Sequence, residues 1–167
     1  MKTYSLFLIA AALFAGGCQT IPKNSNPASP ADVTVNFKDS DKYTDVRETA
    51  NGSTSQYYLD ELAKHLKDEA ARRMTAGQKL TVTFSDIDLA GDILPGSINN
   101  IRVIKEIYTP KMDFHFQLLD STGAVIKEGD RHLSDLSYMQ TVTPIVGQNE
   151  PLRYDKALIT DWVSKEF

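Results

Sequence analysis

One cysteine, one tryptophan and three histidines are all that a chain of 167 residues carries of its most chemically distinctive side chains. A lone thiol, Cys18, forms no internal disulfide, so a covalent framework of the kind that supports small secreted domains is excluded. No Cys/His set has zinc-binding spacing, and there is no phosphate-binding glycine loop, metalloprotease helix or nucleophile elbow. Long apolar runs are also missing. The longest, from Leu6 to Ala15, is about half of the ~20 residues a membrane-spanning helix needs. Basic residues are outnumbered, 18 against 22 acidic, for a formal net charge of −4. That disfavours a phosphate-backbone partner, which requires concentrated lysine and arginine.

What is present begins at the N-terminus. Lys2, the apolar run and the small residues Gly16 and Gly17 are the three parts of a secretory leader. Cys18 directly follows "LFAGG", which resembles the bacterial lipobox, with Ala15 where leucine is usual. The resemblance implies cleavage after residue 17 and lipidation of Cys18. Several acyl chains make a stable anchor where one binds only marginally. Gln19, rather than the aspartate that retains lipoproteins at the inner membrane, implies the periplasmic face of the outer membrane. Residues 19–31, "QTIPKNSNPASPA", read as a flexible tether that spans about 45 Å when stretched. The expected organisation is therefore a signal peptide over 1–17, a lipidated cysteine and tether over 18–31, and one domain over 32–167. Roughly 135 residues suffice for one domain with a core.

Within that domain, Val33, Val35 and Phe37 alternate with polar residues and predict a strand. Leu59, Leu62, Ala63, Leu66, Ala70 and Met74 recur at three- and four-residue spacing, predicting a helix over 55–75. Ser53 and Gln56 have the spacing of a capping box, and Gly77 marks its end. "KLTVTFSDI" (79–87), "IRVIKEIY" (101–108), "MDFHFQLLD" (112–120) and "AVIKEGDRHL" (124–133) read as strands, the last two as a hairpin about "STG". A final helix opens at Pro151, with Tyr154, Leu158, Ile159, Trp162 and Val163 on one face. The order predicts an α/β (α+β) two-layer sandwich. Its sheet is mixed and mostly antiparallel, with two main helices on one face.

These segments together, from "VTVNFKDSDKYTDVRE" through "LTVTFSDIDLAGD" and "YTPKMDFHFQLLDSTGAVIKEGDRHLSDLSY" to "LRYDKALITDW", resemble the domain of unknown function 3016. This is a family of bacterial exported proteins, many of them lipoproteins. The resemblance extends from Val33 to Trp162 and implies an envelope location and a single domain. It implies no activity, so no catalytic residue is carried over.

The stretch "SDIDLAGDILPG" (85–96) concentrates the candidate chemistry. Counted as a calcium loop, Asp86, Asp88 and Gly91 fall at positions one, three and six. Position five is Ala90, however, and Ser97 stands where a bidentate glutamate is needed. No metal or cofactor is therefore expected. Ile87 and Leu89 change sides relative to Phe84, which predicts a bulge at Ser85–Asp86. The aspartates would then accept backbone N–H groups at a strand end. As weak catalytic candidates, Asp86, Asp88 and His115 remain, the hairpin placing His115 near Glu128 or Asp130. His65 is expected at the edge of the helical stripe, and His132 near the end of the hairpin's second strand. The loops "DIDLAGDILPG" and "KYTDVRE" supply Asp86, Asp88, Asp92, Tyr43 and Asp45 as candidate binding residues. The leading expectation is a non-enzymatic envelope lipoprotein, anchored in the membrane and binding another envelope protein or the cell wall. The alternatives are a small periplasmic hydrolase, or a metal- or small-ligand-binding protein using the Asp86/Asp88/Asp92 loop.

Overall fold

In the computed structural model, which describes residues 30–94, 96, 101–140 and 150–167, alternation becomes strand wherever a neighbour exists to pair with. Strand β1 (Asp32–Phe37) leads through a loop into helix α1 (Gln56–Ala71), followed by β2 (Lys79–Asp88). Two short strands, β3 (Asp92–Ile93) and β4 (Arg102–Val103), precede the hairpin β5 (Lys111–Leu119) and β6 (Val125–Ser134). Helix α2 (Arg153–Glu166) closes the chain. The main sheet has the order β1-β2-β5-β6, while β3 and β4 form a separate ladder. β1 runs parallel to β2, and the β2–β5 and β5–β6 pairs are antiparallel. The expected α+β sandwich with a mixed sheet is what the chain forms.

The core lies between one sheet face and the two helices. Leu80, Val82 and Phe84 from β2 and Met112, Phe114, Phe116 and Leu118 from β5 are buried there. They meet Leu59, Leu62, Leu66 and Ala70 of α1 and Leu158, Ile159, Trp162 and Val163 of α2. The single tryptophan packs edge-on against Phe114 and Phe116, with ring centroids 4.7 and 5.6 Å away. Edge-on packing suits the aromatic quadrupoles and adds to the area each ring buries. Phe84 stacks on Phe37 of β1 and tilts against Phe114, linking three strands. The outward sheet face is polar. At the free edge, β6 carries Lys127, Glu128, Asp130 and Arg131, charges that oppose pairing with another chain.

The β2–β5 register breaks between Phe84 and Asp86. The bulge expected from the shifted alternation is therefore present, and it returns Ile87 and Leu89 to the buried side.

Four local expectations are corrected. Ser55, not Ser53, caps α1, its hydroxyl accepting the Tyr58 N–H at 3.2 Å, while the Gln56 amide turns to Asp60. The helix stops at Ala71 instead of Thr75, because the Arg73 and Met74 amides both close onto Ala70 O and Gly77 reverses the chain at φ +86°. Of the strand expected over 101–108, Arg102–Val103 alone pairs. Its partner β3 is two residues long, and Tyr108 N–H closes a turn onto Lys105 O instead of entering a ladder. α2 opens at Arg153, two residues beyond Pro151, with Leu152 at its cap in a left-handed conformation, φ 58°.

Phe84 joins three strands and is fully buried. Phe84→Ala is expected to lower unfolding free energy by about 3–5 kcal/mol, read from urea denaturation. A loss below 1 kcal/mol would show that the aromatic row does not hold the sheet together.

Candidate functional site at the aspartate-rich end of the sheet

β1 and β2 both end at the same edge of the domain, and the chain after β1 continues their parallel pairing. Asp45 N–H donates to Ile87 O at 3.0 Å, and Leu89 N–H to Asp45 O at 3.1 Å. The bulge turns Asp86 toward this segment. Its Oδ1 accepts the Thr44 N–H and its Oδ2 the Thr44 hydroxyl, both at 2.7 Å. Asp88, beyond the bulge, pairs with Lys111 of β5 at 3.0 Å. Tyr43 is buried and its hydroxyl donates to Phe84 O at 3.0 Å. Burial pushes its pKa up to about 12.

The glycine of the motif is required by its surroundings. Gly91 sits at φ +81°, and a Cβ there would lie 2.8 Å from Val103 O and 2.6 Å from the Ile104 side chain. Its N–H donates to Tyr108 O at 3.0 Å. Arg102 Nη1 donates to Gly91 O at 2.9 Å and to Asp45 Oδ2 at 2.8 Å, and Nη2 donates to Arg47 O at 2.9 Å. Beneath the loop, Ala90 N–H donates to Asp155 Oδ1 from the first turn of α2 at 2.9 Å. Asp155 is fully buried, and burial pushes its pKa from 3.8 up to about 7, against the opposing pull of the Ala90 N–H and the more distant Arg102 charge.

The candidate residues thus divide. Asp86 and Asp88 share a cavity of about 270 Å³ with Lys111, Asp113 and His132. Asp88 and Asp92 line a neighbouring one of about 310 Å³ with Asp45, Ile107 and Tyr108. His115 does not join them. It faces Asp130 in the hairpin register and bonds to it at 2.9 Å on the outward sheet face. His132 pairs similarly with Asp113 at 2.8 Å. Tyr43 and Asp45 are both buried, Tyr43 under the β2 carbonyl it bonds and Asp45 between Arg47 and Arg102. Asp86 has both oxygens engaged, whereas Asp92, whose backbone pairs with Val103, has no side-chain hydrogen bond among the described residues. No three His, Cys, Asp or Glu side chains converge to hold a metal ion among the described residues. Cys18, the expected lipidation site, lies outside them.

A third charged cavity, about 440 Å³, lies between the helices and includes Glu61, His65, Glu69, Arg72, Glu150 and Lys156. Burial alone would lower the pKa of the Lys156 ammonium. The hydrogen bonds it donates to Glu61 at 2.7 Å and Glu150 at 3.3 Å outweigh this, and the pKa is raised. His65 bonds Thr160 at 2.8 Å across the helix pair, and burial lowers its pKa. Glu69 is held by Arg72 and Arg73. The charged groups here are paired with one another, which makes the cavity a joint between helices.

Asp155 and Arg102 are the structural residues that the sequence reading passed over. Asp155 had a signal: it precedes Leu158, Ile159, Trp162 and Val163 at three- and four-residue steps, which places it on the buried stripe of α2. Arg102 gave none, because its partners lie far away along the chain.

The profile of the family DUF3016, "Protein of unknown function", matches residues 31–165. No curated protein matches the chain. Among solved structures, the chain is similar to a single-substitution variant of the PelC dodecamer from Paraburkholderia phytofirmans. The identity is 13%, the TM-score 0.41, and the match covers 82% of this chain and 84% of that one. The PelC dodecamer from the same organism in a second crystal form gives 13% identity and a TM-score of 0.38, covering 82% and 88%. Likeness at this level transfers neither activity nor assembly.

Asp155 yields a pH prediction. Its folded pKa, about 7, lies above the ordinary aspartate value of 3.8. The folded state therefore holds the proton more tightly between these values, and stability from this group is full at low pH and falls as pH rises toward 7. Asp155→Asn keeps an oxygen for the Ala90 N–H without the charge. Urea midpoints of the variant are expected to lack this decline and to exceed the parent's at pH 8. Parallel pH profiles would contradict the assignment.

Proposed function

The chain belongs to the DUF3016 family, and from that premise we propose that it is a non-enzymatic binding or scaffold domain of the bacterial envelope. In this reading it is acylated at Cys18 and tethered to the periplasmic face of the outer membrane. The observation that carries the binding reading is the engagement of the motif's acids. Asp86 is saturated by Thr44 and Asp88 paired with Lys111, while the buried Asp155 holds the loop from below. Carboxylates committed to the fold are not poised to move a substrate's protons, and geometry comes first in assigning a general acid or base.

The small hydrolase and ligand-binding alternatives need Asp86, Asp88 and a histidine to converge on open space with unused hydrogen-bonding capacity. His132, the histidine that shares their cavity, is already bonded to Asp113, and His115 stands apart on the sheet face. The direction of β1 also fits a tethered binder. Asp32, where the domain begins, pairs with Lys79, and the aspartate-rich loop follows Asp88 at the other end of β2. Nine residue steps at ~3.3 Å separate them, roughly 30 Å. A chain anchored ahead of residue 32 can therefore present that loop away from its attachment point.

Mass spectrometry of the mature N-terminus tests the anchor. The expected species begins at Cys18 and carries diacylglycerol and an amide-linked acyl chain. Cys18→Ser is expected to move the protein from the membrane fraction into the soluble periplasm. An unmodified Cys18 thiol in the mature protein would overturn the anchored reading.

A further inference from the structure

β1 and β6 are the two edges of the main sheet, and they differ in charge. β6 carries Lys127, Glu128, Asp130 and Arg131 along its length, whereas β1 reads Val-Thr-Val-Asn-Phe between Asp32 and Lys38 and has no charge there. The backbone of β1 is half used. Asp32 N–H donates to Gln78 O and Lys38 N–H to Phe84 O, both at 3.0 Å, so the even-numbered residues bond toward β2. Alternate residues of a strand direct their N–H and C=O groups to opposite sides. Those of Val33, Val35 and Phe37 therefore point away from β2, where no further strand pairs among the described residues. Their side chains are half-buried at the rim of the core. Such an edge is a template for another strand.

The sequence of β1 is matched to itself. Pro30, which has no N–H, precedes the strand, and Asp39 beyond it is left-handed at φ 53°. The run between them that can pair is centred on Val35. Laid antiparallel on a copy of itself about that residue, it sets Val33 against Phe37, Thr34 against Asn36 and Asp32 against Lys38. The odd-numbered residues make the hydrogen-bonded pairs, each exchanging two N–H···O bonds. Val33 and Phe37 then meet on the core side, and opposite charges meet at both ends, as favourable cross-strand pairs do. Neither the Asp32 nor the Lys38 side chain has a hydrogen bond or ion pair among the described residues. Sliding the copy by two residues either way separates both charge pairs.

We propose that β1 is a self-association surface, on which two copies of the chain pair antiparallel about Val35 and join two four-stranded sheets into one. The occupant is a second copy because the strand itself supplies the match in charge and in side-chain size. The pairing does not depend on acylation at Cys18. It leaves the two aspartate-rich loops at opposite ends of the joined sheet, since the paired strands run in opposite directions.

The test follows the full chain, purified from the cells that produce it, by sedimentation across concentration, with hydrogen exchange read at Val33, Val35 and Phe37. A monomer–dimer equilibrium is expected, in which these three amides lose protection on dilution. Lys38→Asp is expected to weaken the dimer roughly tenfold or more with unchanged thermal unfolding. Asp32→Lys combined with Lys38→Asp exchanges the charges and is expected to restore it. Disulfides read the register. The double variant Thr34→Cys/Asn36→Cys is expected to oxidise to a covalent dimer. Either single variant places its thiols on the longer diagonal and is expected to give no more dimer than the parent chain, which carries Cys18. A single-chain mass at every concentration up to the solubility limit would overturn the pairing. So would protection of the three amides that dilution leaves unchanged, a charge exchange that restores nothing, or covalent dimer from the single variants alone. None of these outcomes bears on the anchor, which the mass of the mature N-terminus decides.

Discussion

The guanidinium of Arg102 holds together segments that the chain itself keeps far apart. It spans Asp45 and Arg47 from the connection between β1 and α1, and Gly91 from the loop after β2. The Arg102 side chain is 15% exposed and its Asp45 partner 8%. Charges withdrawn from water to this degree are costly unless hydrogen-bonded on several sides. Here the charge meets one carboxylate and two carbonyl oxygens, which a planar fork can reach together and an ammonium cannot. The local consequences follow from this clamp. Gly91 must turn at positive φ to present its carbonyl, β3 must be short because the chain has just turned, and β4 must pass close enough for Arg102 to reach back.

The aspartates around the clamp act on the same loop from different directions. Asp86, turned aside by the bulge, closes the β1–α1 connection through Thr44, and Asp88 pins the end of β2 to β5. Asp155 supports Ala90 from α2, so the helix layer and the sheet end are joined by a polar contact as well as by apolar packing. A buried carboxyl with a raised pKa is a common mark of a reactive site. Its surroundings point elsewhere here: its bond to another element is to a backbone amide, and it sits under the loop instead of in an open cavity.

Much of this was legible in the sequence because it depends on local periodicity. The alternation in Val33–Phe37 and Met112–Leu118 gave the strands, the stripe from Leu59 to Ala70 gave the helix, and the change of side between Phe84 and Ile87 gave the bulge. Failures came where the decision is made by something distant. The residues 101–108 alternate well enough for a strand, yet the neighbour they meet is two residues long. Ser53 and Gln56 have capping spacing, but Ser55 takes the position, itself bonded to Glu48. Tyr43 and Asp45 looked like loop residues in a polar stretch and are buried because that stretch continues the parallel pairing of β1. At the candidate site, the composition was legible and the occupancy was not, since Thr44, Arg102 and Asp155 approach the loop from separate parts of the chain.

The central claim is that the aspartate-rich loop is held by the fold, with Arg102 as its main restraint. Hydrogen exchange of the Leu89, Ala90 and Gly91 amides in an Arg102→Lys variant tests it most directly, because lysine keeps the charge and removes the fork. The account predicts a loss of about 2–4 kcal/mol in stability, with exchange at these three amides accelerated beyond what that loss produces at Val82. Unchanged stability, with exchange at the loop no faster than in the parent protein, would contradict it.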